Sequence, residues 1–362
     1  IQYPAALTDV KLVIPNGVVN IENYAFYLTK FETLDIPATL EDFGKNNLNS
    51  CSNLRQITVR EANNKFCSSD GILFTKDMTT LVRYPRKRVG DSYTVPDCVN
   101  IIAADAMRYA EVKSVKIHGG VKEIGKDAFG WCHSLTDISV SRDNENYTSY
   151  DGCLYNKNMT ELIEYPLGKN EAFVRLPNGI KKIGDTAMFA NFAAERIVLP
   201  ETTETIGRQS FNYTTNLKAI EIPTSVGSID EFAFNSCESL TDIYYTGSRE
   251  QWEGIAIGRY NEALDGVTVH YNSHMDDVSI ECNSDVKICE YADGVLTIKT
   301  DVTNAGNTTA VGKCYIAVYD MNGKLKTIFD FDMNIQPGST QNFTCDTGIY
   351  TYADGDYVKI IP

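Results

Sequence analysis

Residues 121–138 read VKEIGKDAFGWCHSLTDI, and residues 226–243 read VGSIDEFAFNSCESLTDI. Val121 answers Val226, Ile124 answers Ile229, Ala128 and Phe129 answer Ala233 and Phe234, and Cys132, Leu135 and Ile138 answer Cys237, Leu240 and Ile243. Identity concentrated at apolar slots marks a structural repeat. The register extends outward in both directions through one slot, the position after a short strand. Pro15, Pro37, Arg60, Pro96, His118, Ser141, Pro177, Pro200, Pro223 and Thr246 fill it, at intervals of 22, 23, 36, 22, 23, 36, 23, 23 and 23 residues.

The other slots keep step. Ile21, Phe43, Ile102, Ile124, Ile183, Ile206 and Ile229 each precede by five residues an aromatic slot holding Phe26, Leu48, Met107, Phe129, Met188, Phe211 and Phe234. Alanine stands before that slot in five of the seven units, as close approach of neighbouring coils requires. The strand adds two inward residues with period two, such as Leu34 and Ile36 or Ile220 and Ile222. A unit this short cannot enclose its own core; it hides its apolar face only against its neighbours, which makes a solenoid of parallel strands. The segment from the Ile slot to the Phe slot is expected to turn as a short helical or 3₁₀ stretch. Proline after the strand, lacking an N–H, ends the ladder.

The two 36-residue intervals match each other. Asn64, Asp70-Gly71, Leu73-Phe74, Leu81 and Tyr84-Pro85 return 81 residues later as Glu145, Asp151-Gly152, Leu154-Tyr155, Leu162 and Tyr165-Pro166. Each insert reads as a β-hairpin, from Ile72 or Cys153 through a turn at Lys76-Asp77 or Lys157-Asn158 to a strand ending at Tyr-Pro. Tyr84 and Tyr165 are read as packing residues.

This pattern, with its D-G-x-L and Y-P inserts, resembles the BspA-type (Treponema-type) leucine-rich repeats of bacterial surface proteins over about residues 1–272. Residues 243–272, with Trp252, Ile255, Ile257, Asn261, Leu264 and Tyr271, resemble the element that closes such arrays. The resemblance implies a secreted or envelope-attached bacterial protein used in adhesion or recognition, some relatives binding matrix proteins such as fibronectin or fibrinogen. It carries no fixed ligand motif, so it assigns no binding residue.

The whole chain has 362 residues, 43% hydrophobic and 22% charged, with a net charge of −15. An acidic surface repels phosphate backbones, which argues against nucleic acid. The basic stretch from Arg83 to Arg88 reads as a solvated loop. No apolar run approaches the ~20 residues that cross a bilayer. Beginning at Ile1 in mid-pattern, the chain is expected to be a processed or trimmed product, so a missing leader says nothing of location. None of the ten cysteines forms a zinc or redox motif. Cys51, Cys132 and Cys237 hold a repeat slot and read as small buried hydrophobes. Cys282, Cys289, Cys314 and Cys345 leave one or two disulfides open, with free thiols favoured.

From residue 275 the apolar pattern changes to alternation. Strands are expected at Val278–Cys282, Val286–Tyr291, Val295–Thr303, Cys314–Tyr319, Lys326–Phe331, Gln341–Cys345 and Tyr357–Ile361. Seven short strands with intervening turn residues read as an immunoglobulin-like β-sandwich over 275–362, a spacer or docking module.

Chemistry-bearing sets are sparse. His118 and His133 have structural addresses, and neither they nor His270 and His274 pair with a nucleophile. Paired carboxylates (Asp276 with Asp277, Asp330 with Asp332, Asp354 with Asp356) read first as turn and strand residues and second as calcium ligands. No metal site, cofactor or catalytic residue is assigned, and a non-enzymatic role follows. The candidate binding residues are those that alternation sends outward from the solenoid strands: Asp35, Thr58, Lys116, Asp137, Ser139, Arg196, Glu221, Asp242 and Tyr244. Their polar, mixed-charge strip is expected to bind a protein partner on a host matrix or neighbouring cell. The alternatives are a glycan-binding accessory protein, its sugar held by hairpin tyrosines or the sandwich, and a structural spacer.

Overall fold

The computed structural model describes residues 10–44, 47–49 and 51–275, and beyond them 280–282, 287–292, 295–304, 310–319, 325–336, 339–349 and 357–361. The backbone divides into two compact units, Ile1–Ser273 and His274–Pro362.

The first unit is a β-solenoid. Its front strands are all parallel to their neighbours and fall into sheets of three, three and five. The first holds Lys11–Val13, Thr33–Ile36 and Gln56–Val59. The second holds Ser92–Thr94, Ser114–Ile117 and Asp137–Val140. The third holds Phe173–Arg175, Arg196–Val198, Ala219–Ile222, Asp242–Tyr245 and Thr268–Tyr271. The repeat interval becomes the register: Leu34 pairs with Ile57, Val115 with Ile138, and Ile220 with Ile243. Alternation buries one side, so Leu34, Ile36, Ile57, Ile138, Ile220 and Ile243 are all fully enclosed. Each such side chain contributes roughly 1.5–3 kcal/mol of burial, and only a stacked neighbour supplies the cover.

The Ile slots form a second set of parallel two-residue strands in two sheets, Ile101–Ile102 with Glu123–Ile124 in one and Lys182–Ile183, Thr205–Ile206 and Ser228–Ile229 in the other. The Ala-Phe segments form a third side. They contain the expected i→i−3 turns, such as Ala106 N–H to Ala103 O and Arg108 N–H to Asp105 O, both 3.1 Å. They are not continuous 3₁₀ helix, however. Asp105 and Tyr109 have φ of 56° and 66°, and the same left-handed pair recurs at Asp127 and Trp131 and at Gln209 and Tyr213. The alternation turns every second N–H toward the next coil, as in Met107 to Ala128 O at 2.8 Å and Tyr109 to Gly130 O at 3.0 Å. Backbone donors on this side are thereby shared between local turns and the stack.

The cysteine slot has a polar use within the core. Cys51, Cys132 and Cys237 are buried free thiols whose Sγ atoms donate to the preceding coil, to Phe26 O at 3.2 Å, Met107 O at 3.0 Å and Phe211 O at 3.2 Å. Thr214 fills the same slot and bonds Met188 O at 3.3 Å. Burial pushes the Cys51 thiol up to about 11 and that of Cys237 up to about 12.

Each insert carries one strand more than its sequence pattern indicates. Ile72–Thr75 and Thr80–Arg83 form the expected hairpin, and Phe66–Ser69 precedes it as a third antiparallel strand. Tyr147–Tyr150, Cys153–Asn156 and Glu161–Glu164 repeat the arrangement. The Asp-Gly pair joins the first two strands, and its carbonyl continues the front sheet: Ile57 N–H bonds Gly71 O and Ile138 N–H bonds Gly152 O, each at 2.8 Å. Only glycine suits the site, with φ of 73° at Gly152 and a Cβ there falling 2.9 Å from Thr136 O. Asn144 anchors the added strand. It is wholly buried, donates to His118 O and Val121 O, and accepts from the amides of Asn146 and Tyr147. Asn63 does the same 81 residues earlier.

These middle strands are walls. Leu73 packs into the core of coils 12–57, while Ile72 and Phe74 pack into the core of coils 81–138. Leu154 faces that second core, while Cys153 and Tyr155 face the third. An ordinary front strand has one buried face; an insert strand has two, which is why both read as unbroken apolar runs.

The stretch from Arg83 to Arg88 is not a solvated loop. Arg83 ends a strand and is buried, its guanidinium donating to Asp105 O and to Asn49 Oδ1. Arg88 reaches back to Asp70 and lies 5.6 Å from the Tyr84 ring centroid. Lys169 repeats that clasp on Asp151 at 2.9 Å. Tyr84 and Tyr165 are buried, as packing residues should be.

The second unit has seven described strands, all antiparallel, in two sheets. One contains Ile280–Cys282, Lys287–Ala292, Val295–Asn304 and Thr340–Ile349; the other contains Ala310–Tyr319, Leu325–Ile335 and Tyr357–Ile361. Asp276, Asp277, Asp354 and Asp356 lie outside the described residues, as do the side chains of the four cysteines after residue 275.

Candidate recognition face

The outward side of the front strands brings the candidate residues together by sheet. Asp35 and Thr58 are register partners in the first, and Lys116 and Ser139 in the second, where Asp137 pairs with Ser114. Arg196, Glu221, Asp242 and Tyr244 stand in the third, with Glu221 opposite Tyr244. The strip is therefore three segments and not one, because the Asp-Gly turns of the inserts occupy the intervening levels.

Local chemistry differs along it. Asp35 is half-buried between Lys11 at 3.6 Å and Arg60 at 3.9 Å. Thr58 Oγ1 donates to Leu34 O at 3.3 Å. Lys116 is exposed and lines a shallow depression with Thr94, His118 and Ser141. His118 is fixed there by Val99 O and the Gly120 amide, each at 3.0 Å. Arg196 sits 5.2 Å from the Phe173 ring centroid, a cation–π contact. Glu221 occupies an outward slot but is only 5% exposed, so it is not part of the open surface.

The most ordered group is Asp242, Tyr244 and His270. Parallel pairing sets Asp242 beside Thr268 and Tyr244 beside His270. The imidazole stacks on the tyrosine at 4.6 Å, and its Nε2 lies 2.7 Å from Asp242 Oδ1. Hydrogen bonds from His270 and Thr241 hold the Asp242 carboxyl below its ordinary value. His270 and Phe173 belong to this face but were not among the residues selected from sequence. Their outward register slots signal it: Phe173 pairs with Arg196, and His270 with Tyr244.

A second polar group lies beneath the turn side. Arg108 bridges Asp105 and Asp127, each at 3.1 Å, and Thr186 donates to Asp127 at 2.6 Å. Glu164, the counterpart of Arg83 in the second insert, is buried near them. Burial first, and then the Asp127 charge, raise its carboxyl well above the ordinary value, with Arg108 opposing. Within the group only Glu164 is buried; Arg108, Asp105, Asp127 and Thr186 are half-buried and bonded to one another.

The family model for the BspA-type leucine-rich repeat region matches six copies, over residues 6–76, 90–170 and 168–270. The chain belongs to this BspA-type family. Solved structures similar to it include the pneumococcal vaccine antigen PcpA, at 19% identity over 71% of this chain and 60% of that one, with a TM-score of 0.43. A leucine-rich repeat protein of Eubacterium ventriosum ATCC 27560 matches at 18% identity over 70% and 64%, also with a TM-score of 0.43. A leucine-rich cell surface protein of Faecalibacterium prausnitzii A2-165 matches at 19% identity over 68% and 90%, with a TM-score of 0.33. The chain thus spans under two thirds of the length of the first two. No curated protein matches the sequence. Among the described residues, no helix is long and apolar enough to cross a membrane.

Proposed function

We propose that this BspA-type chain is an extracellular recognition or adhesion module, secreted or held at a bacterial surface, that binds a protein partner through the outward face of its front sheets. The observation that carries this reading is the coil-by-coil array of fixed polar groups on that face, above all the Asp242–His270–Tyr244 cluster. Groups already ordered by the backbone ladder lose little side-chain entropy on binding, which is what a recognition surface needs. Tyrosine, histidine and arginine there match the composition of interface anchors. A surface or antigen description of relatives agrees with the reading. We further propose that residues 275–362 form an immunoglobulin-like sandwich serving as a spacer, and that the protein is not an enzyme.

The test is a pull-down from host-matrix and envelope extracts with the whole chain, repeated with Lys116, Arg196 and Tyr244 changed together to alanine. A captured protein that the triple variant releases supports the reading. Capture undiminished by the triple variant removes the front face from the account.

A further inference from the structure

The two inserts match each other at a distance of 81 residues, and a carboxylate that closes the second is missing from the first. In the second, Lys169 Nζ lies 2.9 Å from Asp151 and 3.2 Å from Glu171, and the other oxygen of Glu171 accepts from the Tyr165 hydroxyl at 2.5 Å. Asp70, Tyr84 and Arg88 stand at the matching positions of the first insert, but Gly90 replaces Glu171. The chain path agrees up to that point: Lys87 N–H bonds Leu54 O and Gly168 N–H bonds Leu135 O, each at 2.7 Å. It then departs, with φ of 53° at Asn170 and 119° at Gly90, where a Cβ would meet nothing nearer than Ser92 O at 3.9 Å. Asp91, the next carboxylate along, is taken by Lys113 at 2.9 Å.

What remains in the first insert is a cation with donors to spare. Arg88 clasps Asp70 through Nε and Nη2, whereas Nη1 makes only long contacts, 3.5 Å to the Tyr84 hydroxyl and 3.4 Å to Val89 O. Among the described residues the Tyr84 hydroxyl finds no acceptor for its proton. Tyr93, whose ring centroid lies 5.0 Å from that of Tyr84, has an enclosed hydroxyl with no partner. Val174 takes the place of Tyr93 in the second insert, so that orphan belongs to the first alone. Arg88 also lines a shallow depression on the front face, together with Arg55, Gln56, Thr58, Gly71 and Val89.

We infer that this depression is a carboxylate site, filled by an acidic side chain of the protein partner in the role that Glu171 plays within the second insert. The inference rests on the protein-recognition reading for its choice of partner and names what that partner presents. The second insert supplies the chemistry, since one cation and one tyrosine hydroxyl there hold one carboxylate. Arginine in place of lysine strengthens the case, because its planar fork matches a carboxylate with two parallel bonds. Asp70 beside the guanidinium repels a second full charge, so a singly charged carboxylate suits the place better than a phosphate dianion. The depression opens next to Gln56 and Thr58, both outward on a front strand, where a docked protein passes. Val89, 81% exposed at its edge, offers apolar contact to the stem of a glutamate.

The backbone amides of Gly71, Val89 and Gly90 report on the depression in the NMR spectrum of the whole chain. Titration with a capped Gly-Glu-Gly peptide at constant ionic strength is expected to shift them saturably at millimolar peptide, and the Gly-Gln-Gly counterpart to leave them in place. Arg88→Gln is expected to weaken binding roughly ten- to a hundredfold. Because that change also releases Asp70, Val89→Glu serves beside it: at an exposed position it sets a tethered carboxylate against the ligand. It is expected to weaken binding roughly three- to tenfold with thermal unfolding unaltered, while Val89→Gln binds as the parent does. The front-face triple variant is expected to bind the peptide unchanged, so failure of this site and failure of the protein-binding reading are told apart. No saturable response to the glutamyl peptide overturns the inference, as does an equal response to the glutaminyl one. Binding indifferent to Val89→Glu overturns it too. Acetate binding as tightly as the peptide would assign the depression to free small acids, and inorganic phosphate binding more tightly would assign it to phosphate; either result removes the partner's side chain.

Discussion

Replacing Asn144 by alanine should be among the most damaging polar substitutions in the chain. The side chain makes four hydrogen bonds at 2.8–3.0 Å, two donated to carbonyls of the preceding coil and two accepted from the amides that start the insert. Asn146 lies at the surface, and water can replace the bond to its amide. The other three fall on buried or half-buried groups. At about 1 kcal/mol per net bond, with a further penalty for each enclosed group left unpaired, the expected loss is about 3–5 kcal/mol. Asn178→Ala, at an exposed position, should cost under ~0.5 kcal/mol. Urea unfolding of both variants gives the difference. Local hydrogen exchange then shows whether protection is lost first at Tyr147–Tyr150, where the anchor acts. A loss below about 1 kcal/mol, or exchange unchanged in that strand, refutes the assignment of Asn144 as the anchor.

Gly152→Ala should destabilise by about 1–3 kcal/mol, because a left-handed residue there also meets Thr136 O. Gly179→Ala, with open space around its Cβ, should cost less, and equal costs would remove the close-approach argument. In native protein at mildly alkaline pH, a thiol reagent should modify exposed Cys98 and spare Cys51, Cys132 and Cys237, whose protons burial retains; mass spectrometry of the labelled peptides decides this. Glu164 keeps its proton in the folded state above the ordinary carboxylate range, whereas the unfolded chain releases it near its usual value of 4.5. The folded state therefore binds the extra proton, and this contribution to stability, full below that value, is lost as pH rises, by up to about 1.4 kcal/mol per pH unit. Glu164→Gln should remove that slope and raise stability more at about pH 8 than at about pH 5; denaturation midpoints with an unaltered slope would speak against it.

The solenoid was legible because its determinants are periodic and local. Ile124, Ala128, Phe129 and Cys132 announce one coil, and the same slots announce the others. The features that escaped depend on what lies one coil away. The first strand of each insert, at 66–69 and 147–150, is short and mostly polar, and it forms because Asn63 and Asn144 anchor it to the preceding coil. Arg83 looked like part of a basic loop, yet its guanidinium is enclosed by Asn49 and Asp105, residues 34 and 22 positions away. Lys116 and Arg196 are exposed and Tyr244 half-buried in the outward slots that alternation assigns them. Alternation alone does not distinguish an open outward slot from the enclosed one at Glu221.

The account depends on coils that have no core of their own and on two insert strands that divide the shared core. Native-state hydrogen exchange on Ile220→Ala measures this most directly, since the cavity should cost about 2–5 kcal/mol. Faster exchange is predicted at Arg196–Val198 and Asp242–Tyr245, the flanking strands, while Thr33–Ile36 and Gln56–Val59, beyond both walls, keep their protection. Equal acceleration in all four strands would mean one undivided cooperative core and would contradict the account.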